Sequence, residues 1–352
     1  MRIGWLALAL LMGGVAHAAS FDCAKAKSPQ EKAICSSPRL SAADDQLATA
    51  YKAWLSAVPP EVGPEVREEQ RGWLRSLAAN CKSAATESTA ALATCMLDVY
   101  PARIKELQAK VVTVGGVTFY WRSITRTEPD DPADVTPEMK VHEENPGFGT
   151  LDAEWPQAAS STPEWKAWNA GFEAAVQTIA SESTGSSAGK GTAKWAATSS
   201  VDQQVTTSIG VVTPELVTTA IQTMVDGHGA HPNTNSIQFN WLLKEQRELQ
   251  PKDLFRPGSG WDQFLQGRCD KYLHEQLDTD GKSYVSTGQA GEMAKTLHGI
   301  VVKPENWQLD GRGLTIPFQP YAVACYACTP DPLTVPWGDL QPYLQTGFVR
   351  PR

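Results

Sequence analysis

The chain has 352 residues, of which 20% are charged, and its 31 Lys/Arg against 39 Asp/Glu leave a formal net charge of −8. An acidic balance disfavours nucleic acid and anionic lipid as partners. The length suggests about two domains, each large enough to bury a core without staples.

The start reads as a secretory leader. Arg2 is followed by an apolar run from Ile3 to Val15 and then by Ala16-His17-Ala18. That is a signal peptide over 1–18 with cleavage after Ala18, and its apolar run is too short to span a bilayer. No cysteine follows the cleavage site directly. Cys23 comes only after Phe21-Asp22, which speaks against a lipid-anchored mature N-terminus. No other segment is long and apolar enough to span, so the expectation is a soluble, exported, periplasmic protein. In that compartment seven cysteines read as disulfides before metal ligands.

The cysteines fall into two groups, Cys23, Cys35, Cys81 and Cys95 early, and Cys269, Cys325 and Cys328 late. Charge divides in the same way. Residues 19–110 are balanced, with 12 Lys/Arg against 11 Asp/Glu, while 111–352 hold 18 against 28. A boundary near residue 112 follows, with a helical domain over 19–111 and a second domain over 112–352. In the first, Ser28-Pro29-Gln30-Glu31 supplies an N-cap, a Pro at the first helical position and the Glu of a capping box. Ser41 with Asp44 repeats the pattern without the Pro. Leu47, Tyr51, Trp54, Leu55 and Val58 keep helical spacing, as do Val66, Trp73, Leu74, Leu77 and Cys81, and then Leu92, Cys95, Met96, Val99 and Leu107. One short helix and three longer ones are expected. Four cysteines allow three pairings. The nested one, Cys35–Cys81 with Cys23–Cys95, would tie the short first helix to the later hairpin.

Residues 125–164 are rich in Pro and acids and read as a solvated loop or as a docking surface for a cationic partner. Trp165–Ile179 predicts a helix and Ser181–Lys190 an exposed loop. From Trp195 onward strands dominate. Val201–Val212, Leu216–Val225 and Ile237–Trp241 are rich in β-branched residues. Trp261, Phe264, Leu265, Cys269, Tyr272, Leu273 and Leu277 make one helix face. Trp307–Leu309, Leu314–Phe318 and Tyr321–Cys325 read as short strands, and Pro336-Trp337 opens a last helix ending near Leu344. The fold class is α+β, with a disulfide-stapled helical domain followed by an antiparallel sheet with packed helices.

The candidate chemistry is sparse. His228-x-x-His231 sits among Gly and Pro residues with no third ligand in view, so it reads as a turn between strands. Cys325-x-x-Cys328 has redox spacing but lies at a strand end, and a structural bond from Cys269 to one of the pair is expected. Asp278-Thr279-Asp280-Gly281 lacks the rest of a calcium loop. Gly258-Ser259-Gly260 is no nucleophile elbow. No phosphate loop, catalytic constellation, metal or cofactor is expected, and the chain does not read as an enzyme.

Two resemblances supply a function. CAKAKSPQEKAIC, LSAADDQLATAY, QRGWL, Cys81, Cys95 and RIKEL follow the pattern of the LprI family of lysozyme inhibitors over about 21–108. The four cysteines, Asp44, Tyr51, Gln70, Trp73 and Arg103 match in order. Where that family usually carries Arg four residues after the Trp, this chain has Leu77. GHGAHPNTNSIQFNW, PKDLF, LTIPFQPYAVACYA and VPWGDLQPYL resemble the extracytoplasmic lysozyme-sensing domain of RsiV, over roughly 195–345. That likeness makes His228 and His231 architectural. Both resemblances imply lysozyme, or a related basic cell-wall hydrolase, as partner, held by occlusion of its cleft. The acids Asp130, Asp131, Asp134, Glu143 and Glu144 are the expected contact segment. The alternative is a non-catalytic envelope module that binds peptidoglycan or an envelope protein, with Trp155, Trp165, Trp168 or Trp195 exposed to stack on sugars.

Overall fold

The computed structural model describes residues 19–129, 148–182, 195, 197–198, 201–227, 229, 231–277 and 290–351. The chain divides into two compact units, Met1–Val112 and Thr113–Arg352.

The first unit is helical. Helix α1 (Pro29–Ser36) starts on the capping box read from the sequence. The Ser28 hydroxyl accepts the Glu31 N–H at 3.1 Å, and the Glu31 carboxylate accepts the Ser28 N–H at 2.8 Å. Two of the orphan donors at the helix start are thereby satisfied. Helix α2 (Pro38–Ala57) begins earlier than the Ser41/Asp44 pattern suggested, because Ser37-Pro38 repeats the Ser-Pro start of α1 and Ser37 caps Leu40 N–H at 3.3 Å. Ser41 and Asp44 are instead buried inside α2. Helices α3 (Gly63–Asn80), α4 (Lys82–Glu87) and α5 (Thr89–Ala109) follow, so there are two short helices in place of the single one expected. Leu40, Leu47 and Trp54 of α2, Val66 and Leu77 of α3, and Leu92, Met96, Tyr100 and Leu107 of α5 form the core. Their spacings of four, seven and eleven keep each set on one helix face.

The disulfides correct the nested expectation. Cys23 pairs with Cys35, and Cys81 with Cys95, at Cα separations of 5.7 and 5.9 Å. Each bond joins near neighbours. The turn at Cys23–Lys25 folds directly onto α1, and α4 reverses the chain so that Cys95 of α5 comes beside Cys81 at the end of α3. Cys269 forms no disulfide, and Cys325 pairs with Cys328. Cys269 occupies an apolar position on the inward stripe of its helix, in line with Leu265, Leu273 and Leu277. It is committed to packing, away from the bonded pair.

The second unit is built on a seven-stranded sheet in the order β1-β2-β3-β4-β5-β6-β7. Its strands are β1 (Val111–Val114), β2 (Val117–Pro129), β3 (Phe148–Ala158), β4 (Asp202–Val212), β5 (Leu216–Asp226), β6 (Asn233–Leu242) and β7 (Arg247–Glu248). β2–β3, β4–β5, β5–β6 and β6–β7 pair antiparallel, and β3 pairs with β4 in parallel. That parallel step needs a crossover, and helix α6 (Pro163–Glu182) lies within it. The acidic segment is therefore not loop throughout. β2 and β3 pair continuously from Phe119↔Ala158 to Pro129↔Phe148. Its acids and prolines outweighed the strand pattern in the sequence.

α6 covers one sheet face through an aromatic band. Trp168 stacks on Phe172 at 5.2 Å, Phe172 meets Phe239 at 5.2 Å, and Phe239 stacks on Trp241 at 5.4 Å. The approach is close enough to require glycine at 171, where a Cβ would lie 2.7 Å from the Trp241 ring.

A second core gathers α7 (Pro251–Leu254), α8 (Trp261–Leu277), α9 (Ala290–Val301) and a small antiparallel sheet ordered β10-β9-β8. Its strands are β8 (Gln308–Leu309), β9 (Gly313–Ile316) and β10 (Leu333–Pro336), and α10 (Trp337–Leu340) follows. Tyr321–Cys325, expected as a strand, forms turns and bends. The third strand is Leu333–Pro336, flanked by prolines that masked it in the sequence. Asn240 joins β6 to this layer, its amide donating to the carbonyls of Trp307 at 2.7 Å and Pro304 at 3.0 Å.

Candidate functional site

The first unit carries a groove of about 490 Å³ between the N-terminal segment and helices α1, α2, α3 and α5. Its apolar wall includes Phe21, Ile34, Leu47, Leu74, Leu77 and Met96. Its polar groups include Asp44, Tyr51, Gln70 and Tyr100. Leu74, also part of the lining, is 46% exposed.

The residues that carried the first resemblance divide into two roles. Arg103 is structural. Its side chain is 3% exposed, and its guanidinium donates to Gln70 at 2.9 and 3.3 Å, to Glu69 at 3.3 Å and to Glu106 at 2.7 Å. It also lies 5.7 Å from the Trp73 ring centroid. These contacts lock α3 to α5 and use the planar fork that only Arg offers. Asp44, Tyr51 and Gln70 face the groove. Asp44 accepts the Ser20 N–H at 3.1 Å and the Ser20 hydroxyl, and the Tyr100 hydroxyl donates to it at 3.4 Å. Burial, and then the Asp44 charge, hold the Tyr100 phenol above its ordinary range. It is a neutral donor at any physiological pH. Leu77, where the family pattern has Arg, is 3% exposed and part of the apolar wall.

Residues 23–107 match the family model of the lysozyme inhibitor LprI. The LprI match covers α1 to α5 almost entirely, and with them every residue of the groove except Ser20 and Phe21. Residues 252–338 match a family described as a protein of unknown function (DUF3298). A DUF3298 member from Bacteroides fragilis is similar in structure, with 18% identity, a TM-score of 0.41, and 67% of this chain and 96% of its own covered. A DUF3298 protein from Pseudomonas aeruginosa gives 13%, 0.43, 67% and 98%. Likenesses of this degree carry no functional argument. No curated protein matches the chain significantly.

The second unit has a groove of its own, about 400 Å³. Gln204 and Thr206 of β4, Gln222 and Met224 of β5, and Thr234 and Ser236 of β6 share one sheet face by register. Gln319 pins the Pro317–Pro320 loop over them, accepting the Ser236 N–H at 2.9 Å and donating back to its carbonyl. Among the described residues no charged side chain lines this groove. Directly after it comes Tyr321, 60% exposed and held at φ 64°, a left-handed conformation that bulky residues rarely adopt. Its hydroxyl meets His231 Nε2 at 3.2 Å, and His231 stacks on Tyr326 at 4.1 Å.

His231 is thus part of the turn leading into β6 and a brace for that loop. His228 lies outside the described residues. So do Asp130, Asp131, Asp134, Glu143 and Glu144, and the Asp278–Gly281 turn. Among the described residues no group of three His, Cys, Asp or Glu side chains could hold a metal ion. No helix among them is long and apolar enough to cross a membrane. Three of the four tryptophans expected to stack on sugars are buried, and the fourth, Trp195, is half-buried. Trp155, Trp165 and Trp168 are buried, and Trp195 stacks on Trp155 at 4.8 Å. The aromatic signal in the sequence was core.

Proposed function

We propose that the protein is a periplasmic binding protein that recognises and inhibits lysozyme or a related cell-wall hydrolase. The observation that carries this reading is the match of residues 23–107 to the LprI inhibitor family. Within that region, the groove is the surface best suited to a protein partner. It combines an exposed Leu74, a deep apolar wall and polar groups at its base, the mixture found at the centre of binding interfaces. An inserted apolar side chain of the hydrolase would bury Leu74, and inhibition would follow from steric occlusion of the substrate cleft.

The test is inhibition of cell-wall lysis by the purified mature protein. Leu74→Glu places a charge at the groove and is expected to weaken inhibition at least about tenfold while the protein stays folded, equivalent to about 1.4 kcal/mol of binding. Unchanged inhibition by this variant would move the contact away from the groove. The acidic segment contributes steering in this proposal. Lysozymes are basic, and complementary charge chiefly raises the association rate. Neutralising Asp130, Asp131, Asp134, Glu143 and Glu144 together is expected to slow association at low ionic strength and to leave dissociation nearly unchanged. The difference should shrink near 1 M salt, where the Debye length falls to about 3 Å. Association at the wild-type rate at low salt would remove the segment from the mechanism.

A second reading rests on the groove of the second unit. Its uncharged amides and hydroxyls, next to the strained and exposed Tyr321, suit a neutral glycan such as the peptidoglycan backbone. Sedimentation with purified peptidoglycan, lost in Tyr321→Ala, would support it. Equal retention of both proteins in the supernatant would end it.

A further inference from the structure

Asp44 is 6% exposed and faces only neutral donors, the Ser20 N–H and hydroxyl on one oxygen and the Tyr100 hydroxyl on the other. None of the ion pairs among the described residues uses Asp44. Arg103 takes Glu69 and Glu106, Lys110 takes Glu69, Arg71 and Arg75 take Glu68, and Lys25 takes Asp22. A carboxylate removed from water needs a counter-charge as well as hydrogen bonds to be well compensated.

Processing would create a positive group beside it, the α-amine of Ala19, which does not exist in the precursor. Ala19 is 7% exposed and immediately precedes Ser20, whose own N–H lies 3.1 Å from Asp44. When the Ala18–Ala19 peptide bond is hydrolysed, water supplies the hydroxyl of the Ala18 carboxyl group. The Ala19 nitrogen takes a proton and becomes an ammonium. Its ordinary pKa of about 7.7–8.0 leaves it charged at neutral pH. Consecutive Cα atoms are about 3.8 Å apart, so a shift of one residue along the chain is enough to bring that charge to the carboxylate.

We propose that Asp44 is the receptor for the mature N-terminal ammonium of Ala19, and that removal of the leader thereby completes the inner wall of the first unit's groove. Ser20, Phe21, Asp44 and Tyr100 all line that groove. The precursor, with an amide nitrogen at Ala19, has no such charge, so the binding surface is finished only after export and processing. This rests on cleavage after Ala18 and is independent of what the groove binds.

The test uses the full mature chain and no hydrolase. Intact mass after export from a full-length precursor is expected to begin at Ala19, and any other start overturns the proposal. Authentic protein is then compared with a form carrying Gly-Gly before Ala19. Limiting acylating reagent near neutral pH should label the α-amine at least about tenfold more slowly in the authentic form. Equal labelling overturns the proposal without any core mutation. Hydrogen exchange of amides in α2 and α5 should be about tenfold faster in the extended form. In an Asp44→Asn background the extension should change nothing. An equal effect of the extension in both backgrounds would show that bulk, and not the Asp44 charge, is responsible.

Discussion

Single side chains in this protein are assigned by burial more than by type. Cys269 shows this most clearly. It is fully buried on α8, and burial, with a smaller contribution from Asp270, pushes its thiol up to about 12. A raised thiol pKa means that the neutral form stabilises the fold. That contribution is complete below the reference value of 9.0 and is lost as pH rises towards about 12. The folded protein at pH 8 is expected to resist thiol reagents and to release one reactive thiol per chain on unfolding, as a colorimetric thiol assay would show. Rapid labelling of the native protein would place Cys269 at a surface. Leu77 makes the same point in the other direction. The family pattern suggests Arg there, yet Leu77 is 3% exposed and lines the groove with an apolar side chain.

At the scale of elements, helices were legible and strands less so. The capping box at Ser28 and Glu31 operates within four residues, so sequence alone placed the start of α1. The periodic sets of α2, α3 and α5 were equally local. The start of α2 was misplaced because two Ser-led signals compete within a few residues, and Asp44 was recruited by tertiary bonds to Ser20 and Tyr100. β2 and β3 were obscured by their composition, since a ladder can hold acids and a terminal Pro when one face meets water. The approach of α6 to β6 gives a sharp test. Gly171→Ala would ordinarily favour a helix by about 1 kcal/mol. Here the added methyl meets the Trp241 ring at 2.7 Å, and overpacking of this kind costs about 1–3 kcal/mol. Net destabilisation is expected, measurable as a lower urea midpoint. A stabilised variant would mean that α6 can move off the sheet freely.

For the molecule as a whole, the two units are stabilised in different ways. The first spans about a third of the chain and carries two disulfides, at sequence separations of 12 and 14. Closing loops of that size is worth roughly 3 kcal/mol each in the chain-entropy account. The second unit relies on its aromatic band and its second apolar core, and its one disulfide spans a separation of 3. Reductant is therefore expected to strip hydrogen-exchange protection from α1 to α5 and to leave β4 to β6 nearly unchanged. Equal loss in both units would mean that they unfold together.

The sequence by itself determined the fold class, the helical character of the first quarter, strands β4, β5, β6, β8 and β9 of the second unit and the LprI resemblance. Each is carried by local periodicity, capping chemistry or a motif that reads along the chain. Tertiary structure decided what depends on residues far apart. It paired the cysteines as neighbours, because α4 folds α5 back onto α3. It buried Trp155, Trp165 and Trp168, because the sheet and α6 close over them. It also built the groove, whose lining runs from Ser20 to Tyr100. A surface assembled from the N-terminal segment and four helices has no periodicity of its own, so only the packing of those elements reveals it.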